Sequence, residues 1–292
     1  MIVRAYAKIN WFLQVIGKKE NGYHDLEMIM QHIDLYDELH IKQTVNKGLI
    51  LQINNSEVLA ADDSNLIIKA ANLIRNAGGI LSGLHIRLSK HIPIGAGLGG
   101  GSADAAAVLH ALNLFYKLNY PLIKLQELGI KIVAEVPYCL EEKPAIVKGV
   151  GENVIPVSFA KEHWMVLLKP EESLSTKDVF SNYNINNDLH VYNLEKSIYA
   201  LEINDFIELN KYCGNSLEAP AIAILPEIEI LKSELTHSGA LFAQMSGSGS
   251  AVFGVFDTQN EAKKAWSILK MKYHNCILTR SLKKATAILS EQ

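Results

Sequence analysis

Cysteine is scarce: Cys139, Cys213 and Cys276 are the only three in 292 residues, and no two have C-x-x-C spacing. An odd, scattered set excludes a disulfide framework and a zinc or redox pair, so buried free thiols are expected. Long apolar runs are missing too; nothing approaches the roughly 18 residues that a spanning helix needs. The stretch from Met1 to Ile16 is broken by Asn10 and Gln14 and has no small-residue cleavage site, unlike a signal peptide. Excess charge of either sign is slight, a formal net of -3, so nothing draws the chain to nucleic acid and any phosphate recognition has to be local. Repeats, low-complexity tracts and Pro/Ser-rich linkers are also lacking. These absences predict a cytoplasmic, water-soluble protein without membrane or nucleic-acid partners; oligomeric state leaves no sequence signature.

What is present is ordinary globular material, 49% hydrophobic and 20% charged. A chain of this length buries about 75% of its unfolded surface without needing covalent staples. Strand-like alternation runs over Ile2 to Ile16, Glu27 to Ile33, Glu38 to Ile41 and Leu49 to Ile53, with a turn at Asn21-Gly22, and predicts an antiparallel sheet. A helix is predicted over Asn65 to Ala77, with Ser64 as N-cap and Gly78 as its left-handed stop. Leu84 to Leu88 is a strand, Ala103 to Leu112 an Ala-rich core helix, and Leu122 to Ala134 a further helix. Trp164 to Leu168 opens a second half, with helices over Val191 to Ala200, Asp205 to Lys211 and Pro226 to Leu235. Strands Phe242 to Met245 and Ala251 to Phe256, a helix starting at the capping box Thr258 to Glu261, and a strand from Cys276 to Ser281 complete it. The layout is α+β in two packed halves, residues 1–159 and 160–292.

Five glycines fall within Pro93-Ile94-Gly95-Ala96-Gly97-Leu98-Gly99-Gly100-Gly101-Ser102, between a strand and the Ala-rich helix. Phosphates need closely spaced backbone N–H groups at an unshielded helix N-terminus, and glycine permits that approach. Ser102 adds a hydroxyl. A merely flexible turn would leave the next helix poorly nucleated. Gly95, Gly97 and Gly100 fit the dinucleotide pattern G-x-G-x-x-G, but no acidic ribose partner follows the helix. The P-loop pattern fails because Gly101 occupies the lysine position before Ser102. The segment is therefore a third kind of phosphate loop.

Three further constellations stand out. Met245-Ser246-Gly247-Ser248-Gly249-Ser250 lies between two strands; it is either a tight hairpin or a backbone that passes close to the first glycine loop. Tyr6, Lys8 and Asn10 share one strand face, where Lys8 would stabilise a transferring phosphoryl group, although pattern alone favours a solvated edge lysine. Tyr23 and His24 follow a turn and would stack and read a planar base, unless they are idle loop aromatics.

Taken in order, Ala7-Lys8-Ile9-Asn10, Gly22-Tyr23-His24, Pro93 to Ala103, Val136-Pro137 and Met245 to Ser250 resemble the GHMP small-molecule kinases. Asn65-Leu66-Ile67 and Asn215-Ser216-Leu217-Glu218 add weaker blocks. The resemblance implies an N-terminal half like ribosomal protein S5 domain 2, a ferredoxin-like C-terminal half, and substrate meeting ATP in the cleft between them. It implies transfer of the γ-phosphoryl group of ATP, with magnesium carried by ATP and no protein-only metal site, to the 2-hydroxyl of a cytidine diphosphate-linked methylerythritol in non-mevalonate isoprenoid synthesis. By motif position Lys8 corresponds to the catalytic lysine, Asn10 to a substrate contact, Pro93 to Ala103 with Asn65 to the ATP site, and Tyr23 with His24 to the cytosine pair. Thr176 and Phe180 resemble the segment that closes on the base's other face. The chain departs from the family at Val133-Ala134-Glu135-Val136-Pro137, where Glu135 replaces the aspartate regarded as catalytic base, and at Glu141-Glu142-Lys143, which replaces a small Gly-Gly stretch. A working, slower enzyme is expected, with two alternatives open: another GHMP kinase, acting on mevalonate, homoserine or a sugar, or an inactive nucleotide-binding paralogue.

Overall fold

The computed structural model describes residues 1–20, 22–56, 58–159, 161–185, 192–286 and 288–290. Its frame is a sheet of β1 (Ile2–Lys18), β2 (His24–Thr44), β3 (Leu49–Asn54), β4 (Gly83–Ser89), β5 (Ala145–Gly149), β6 (Asn153–Pro156) and β11 (Ile288–Ser290). The order is β11-β1-β2-β4-β3, with β5 pairing β2 and β6. The alternating segments predicted between Glu27 and Ile41 are one continuous strand, β2, whose far edge takes β5 along Leu26 to Met30 and β4 along Glu38 to Thr44. The sheet is not wholly antiparallel as expected: β3 runs parallel to β4, because α1 (Leu66–Gly78) carries the chain back as a crossover.

α1 is capped by Asn65, not Ser64: the Asn65 side chain accepts the Ile67 N–H, while the Ser64 hydroxyl bonds Asp62 Oδ1 at 2.5 Å. The left-handed stop is Gly79, φ 64°, rather than Gly78. α2 (Gly100–Phe115) begins three residues earlier than predicted and packs on β1 and α1; its alanines let it lie close while Val108, Leu109 and Leu112 are fully buried. The helix expected from Leu122 to Ala134 stops at Gly129 as α3 (Leu122–Gly129), and after a turn the short α4 (Val136–Cys139) starts at Glu135.

A second sheet, antiparallel throughout, has the order β10-β7-β9-β8, from β7 (Trp164–Leu168), β8 (Phe242–Met245), β9 (Val252–Phe256) and β10 (Cys276–Arg280). Around it lie α5 (Thr176–Asn182), α6 (Leu194–Ile203), α7 (Phe206–Tyr212), α8 (Glu218–Ile224), α9 (Glu227–His237) and α10 (Gln259–Leu269). Val191, the predicted start of α6, lies outside the described residues, as does Asn21. The Thr258/Glu261 capping box is formed as expected.

Candidate active site

The outer edge of β1 is covered at three places. β11 pairs Ile2 and Val3, the Lys8 N–H reaches Leu98 O at 3.0 Å, and Leu13 bonds Gly214 and Ser216. Lys8 is therefore not the solvated edge lysine that the pattern favours; it is 1% exposed. Its ammonium is satisfied at 2.9 Å by Asn10 Oδ1 and by Gly97 O, and lies 3.4 Å from Glu135 Oε1. Tyr6 does not join the pair. A register shift separates it from Lys8, and its ring packs on Tyr36 at 5.5 Å.

The glycine loop folds back under Lys8. Gly95, Gly97 and Gly99 are left-handed, with φ of 63°, 71° and 68°, while the side chains of Ala96 and Leu98 are buried. A Cβ on Gly97 would sit 2.0 Å from Ser246 O, and one on Gly99 2.9 Å from Lys8 Cε. The second small-residue segment meets both readings: it joins the antiparallel strands β8 and β9, and it passes close to the glycine loop, Ser246 Oγ donating to Gly97 O at 3.0 Å and the Ala251 N–H to Ala96 O at 3.1 Å. Asn215 braces that segment, its Nδ2 donating to Met245 O and Gly247 O at 2.9 and 2.8 Å. The block Asn215 to Glu218 thus acts by holding a loop, a role that spacing alone did not reveal.

Two clefts meet at this point. The first, about 400 Å³, is lined by Pro93 to Ser102 together with Asn65, Lys90 and Asp104. The second, about 690 Å³, has Tyr23, His24 and Phe180 on its walls. Ser102, Glu135, Thr176 and Ser248 line both. Ala103 lies just behind the first, 3% exposed in the α2 core. Asn65 contributes to the wall with its side chain already spent on capping α1 and on Ala60 O. Thr176 and Ser248 hydroxyls bond at 2.8 Å and bridge the rims.

The aromatic pair is arranged differently from a Tyr-His platform. The His24 ring stacks on Phe180 at 4.8 Å, with 22° between planes, whereas the Tyr23 ring is 62% exposed beside them. Desolvation, and secondarily Lys18, holds His24 below its ordinary pKa, so it is neutral at pH 7 and can read a base edge with one donor and one acceptor. Lys18 and Lys177, which sequence pattern did not single out, line the same cleft and make no ion pair among the described residues. Asn10 offers one more free group: its Nδ2 is buried with no acceptor. An unpaired buried donor next to Lys8 and Gly247 is what a ligand oxygen would satisfy.

Family models of the GHMP kinases N terminal domain and GHMP kinases C terminal match residues 65–140 and 197–275. The chain belongs to the GHMP kinase family, whose members use ATP as co-substrate. Among its relatives is the 4-diphosphocytidyl-2-C-methyl-D-erythritol kinase of Lachnoclostridium phytofermentans, 41% identical over 264 residues and 90% of each chain. The enzyme of the same name from Clostridium perfringens is 40% identical over 97% of this chain and 98% of its own. A crystal structure of 4-(cytidine 5'-diphospho)-2C-methyl-D-erythritol kinase superposes with a TM-score of 0.82 at 30% identity, covering 96% and 99% of the two chains. Homoserine kinase from Cytophaga hutchinsonii, 18% identical with a TM-score of 0.75 over 97% and 94%, shares the fold. No helix among the described residues is long and apolar enough to cross a membrane.

Proposed function

We propose that this chain transfers the γ-phosphoryl group of ATP to the 2-hydroxyl of 4-diphosphocytidyl-2-C-methyl-D-erythritol, a step of isoprenoid synthesis, in the cytoplasm. The observation that carries this reading is the junction of the two clefts at Glu135 and Ser102, with the buried Lys8 ammonium 3.4 Å from the Glu135 carboxylate.

ATP lies in the first cleft, its phosphates against the amides of Gly97 to Ser102 at the start of α2, where the helix dipole favours negative charge. The cytosine enters the second cleft beside Tyr23, His24 and Phe180, and Lys18 and Lys177 supply cations for the diphosphate. Asn10 Nδ2 holds the methylerythritol end. Glu135 accepts the proton of the 2-hydroxyl as that oxygen bonds to the γ-phosphorus and the bond to the β-phosphate oxygen breaks, releasing ADP. Lys8 orients Glu135 and offsets the charge on the transferring group. Magnesium arrives with ATP; of the acidic side chains on the first cleft, Asp104 is already engaged by Lys90, so ATP oxygens and water supply most of its ligands.

The replacement of the family aspartate by Glu135 is compatible with turnover. The longer side chain reaches Lys8, and phosphoryl transfer depends mainly on positioning and charge. The test is purified protein with ATP and the cytidine-linked substrate, scored by ADP release and by phosphorus NMR of the product. Phosphorylation of mevalonate or homoserine in its place, or nucleotide binding with no transfer, would sink the assignment.

A further inference from the structure

Beneath the glycine loop lies a charged cluster that the reaction itself does not use. Lys90 Nζ donates to Asp104 Oδ2 at 3.0 Å and to Asp37 Oδ2. Asp37 Oδ1 accepts the His91 and Ile92 N–H groups at 2.6 and 2.8 Å. All three side chains are buried, with 8%, 3% and 0% of Lys90, Asp104 and Asp37 exposed. Lys90 precedes Pro93 and Asp104 follows Ser102, so the cluster joins the two ends of the loop through a third residue on β2.

We propose that Asp37, Lys90 and Asp104 form a clasp that positions the phosphate-binding loop, and that the clasp works with a proton on the Asp104 side chain. The proposal rests on the reading of Pro93 to Ser102 as the nucleotide site. Each glycine loses more backbone freedom on ordering than another residue would, and this loop has five, so fixing its ends beforehand favours affinity.

Gly100 supports the clasp independently. Unlike Gly95, Gly97 and Gly99 it has no positive φ, so backbone freedom does not explain it. A Cβ there would meet Ile92 Cγ2 and Lys90 Nζ, each at 3.0 Å: the missing side chain leaves room under the first residue of α2 for the buried Ile92 and for the ammonium.

The charge count explains the proton. Two carboxylates share one ammonium, and Asp104 Oδ1 is buried with no hydrogen-bond partner among the described residues. Ionised, the clasp would carry a net negative charge at the floor of a polyanion site; protonated on Asp104 it is neutral. Burial pushes the Asp104 carboxyl up to about 8 against the opposing pull of Lys90, with Asp37 adding to the rise. From α4 the Cys139 thiol faces the same region and stays protonated, raised first by burial and then by Glu135, with Lys8 opposing.

The test compares wild type, Lys90→Met, Asp104→Asn and Gly101→Val in steady-state kinetics with ATP and the cytidine-linked substrate from pH 6.5 to 9. Lys90→Met raises the KM for ATP about 10-fold or more, with a much smaller change in the KM of the second substrate. In wild type the KM for ATP climbs as pH passes about 8; Asp104→Asn raises it about three-fold or less at pH 7 and abolishes that climb. An unaltered ATP KM in Lys90→Met, or an Asp104→Asn profile that climbs like wild type, overturns the clasp. Should Lys90→Met fail to fold, the Asp104→Asn profile decides the question alone. Gly101 lines the cleft outside the clasp, so an unchanged ATP KM in Gly101→Val overturns the underlying nucleotide site and the clasp with it.

Discussion

Replacing Gly99 by alanine separates backbone cost from active-site geometry. Gly99 is the N-cap of α2 at φ 68°, ψ 19°, and a residue with a Cβ loses about 1–2 kcal/mol in that left-handed conformation. Its Cβ would stand 2.9 Å from Lys8 Cε, 3.0 Å from Lys8 Cγ and 3.3 Å from Glu135 Oε2. Lys8 has nowhere to retreat, being buried and tied to Asn10 Oδ1 and Gly97 O at 2.9 Å. Relieving the contact shifts the ammonium or the carboxylate by a fraction of an ångström to about 1 Å, and misplacement on that scale costs about 10²-fold in rate. Gly79→Ala is the matched control: the same left-handed φ, 64°, but nothing within 4 Å of the added Cβ. Urea denaturation should show both variants losing about 1–2 kcal/mol, while kcat falls about 10²-fold in Gly99→Ala alone. Equal kcat in the two variants would refute the role given to the Lys8–Glu135 geometry.

Glu135→Asp draws the carboxylate back from its 3.4 Å contact with Lys8, so turnover should fall rather than rise, and Glu135→Gln, which cannot accept the proton, should lose about 10²–10⁴-fold in kcat with ATP KM little changed; single-turnover assays distinguish these outcomes. Tyr23→Ala removes the ring proposed to stack on the base, a contact worth about 1–3 kcal/mol, so the KM for the cytidine-linked substrate should rise about 10- to 100-fold without affecting ATP. His163 is buried against Trp11 and Phe206, and desolvation, with Lys161 second, lowers its pKa to about 4. With the folded value below the unfolded 6.5, its stabilisation is complete above pH 6.5 and is lost as pH falls toward 4. The loss amounts to roughly 3 kcal/mol and should show as a falling urea midpoint that flattens in His163→Phe.

The glycine loop and α2 were legible because glycine and alanine carry their reasons with them: positive φ at Gly95, Gly97 and Gly99, and close packing along the helix. The burial of Lys8 was not. It depends on cover from the glycine loop at residues 97 to 99, about ninety residues on, which strand alternation does not reveal. The cap of α1 was misplaced by one residue because Ser64 and Asn65 are both good capping types, and the choice fell to the Ser64–Asp62 bond. β2 was read as fragments because Asp34, Asp37 and Glu38 interrupt its apolar pattern; Asp37 is nevertheless fully buried, its charge met by Lys90 from 53 residues on. The short strands β5 and β6 and the helix α5, which carries Thr176 and Phe180, also went unpredicted; they run for only a few residues, too few for a periodic signal.

Glu135 raises an objection in the sequence that the proposed catalytic geometry has to meet. By itself a glutamate for aspartate moves a catalytic oxygen outward by one methylene, enough to disable a site built for the shorter side chain. The space it needs lies over Gly99, where the absent Cβ would have come 3.3 Å from Glu135 Oε2, and the partner it needs is Lys8, held by Asn10 and Gly97 independently of the carboxylate. Because the lysine is fixed first, the longer acid has only to reach it, and the 3.4 Å separation shows that it does. Under the proposed mechanism, tolerance of the longer acid would rest on the lysine and the glycine: the same substitution in a site whose lysine relied on the carboxylate for its position would move both groups at once.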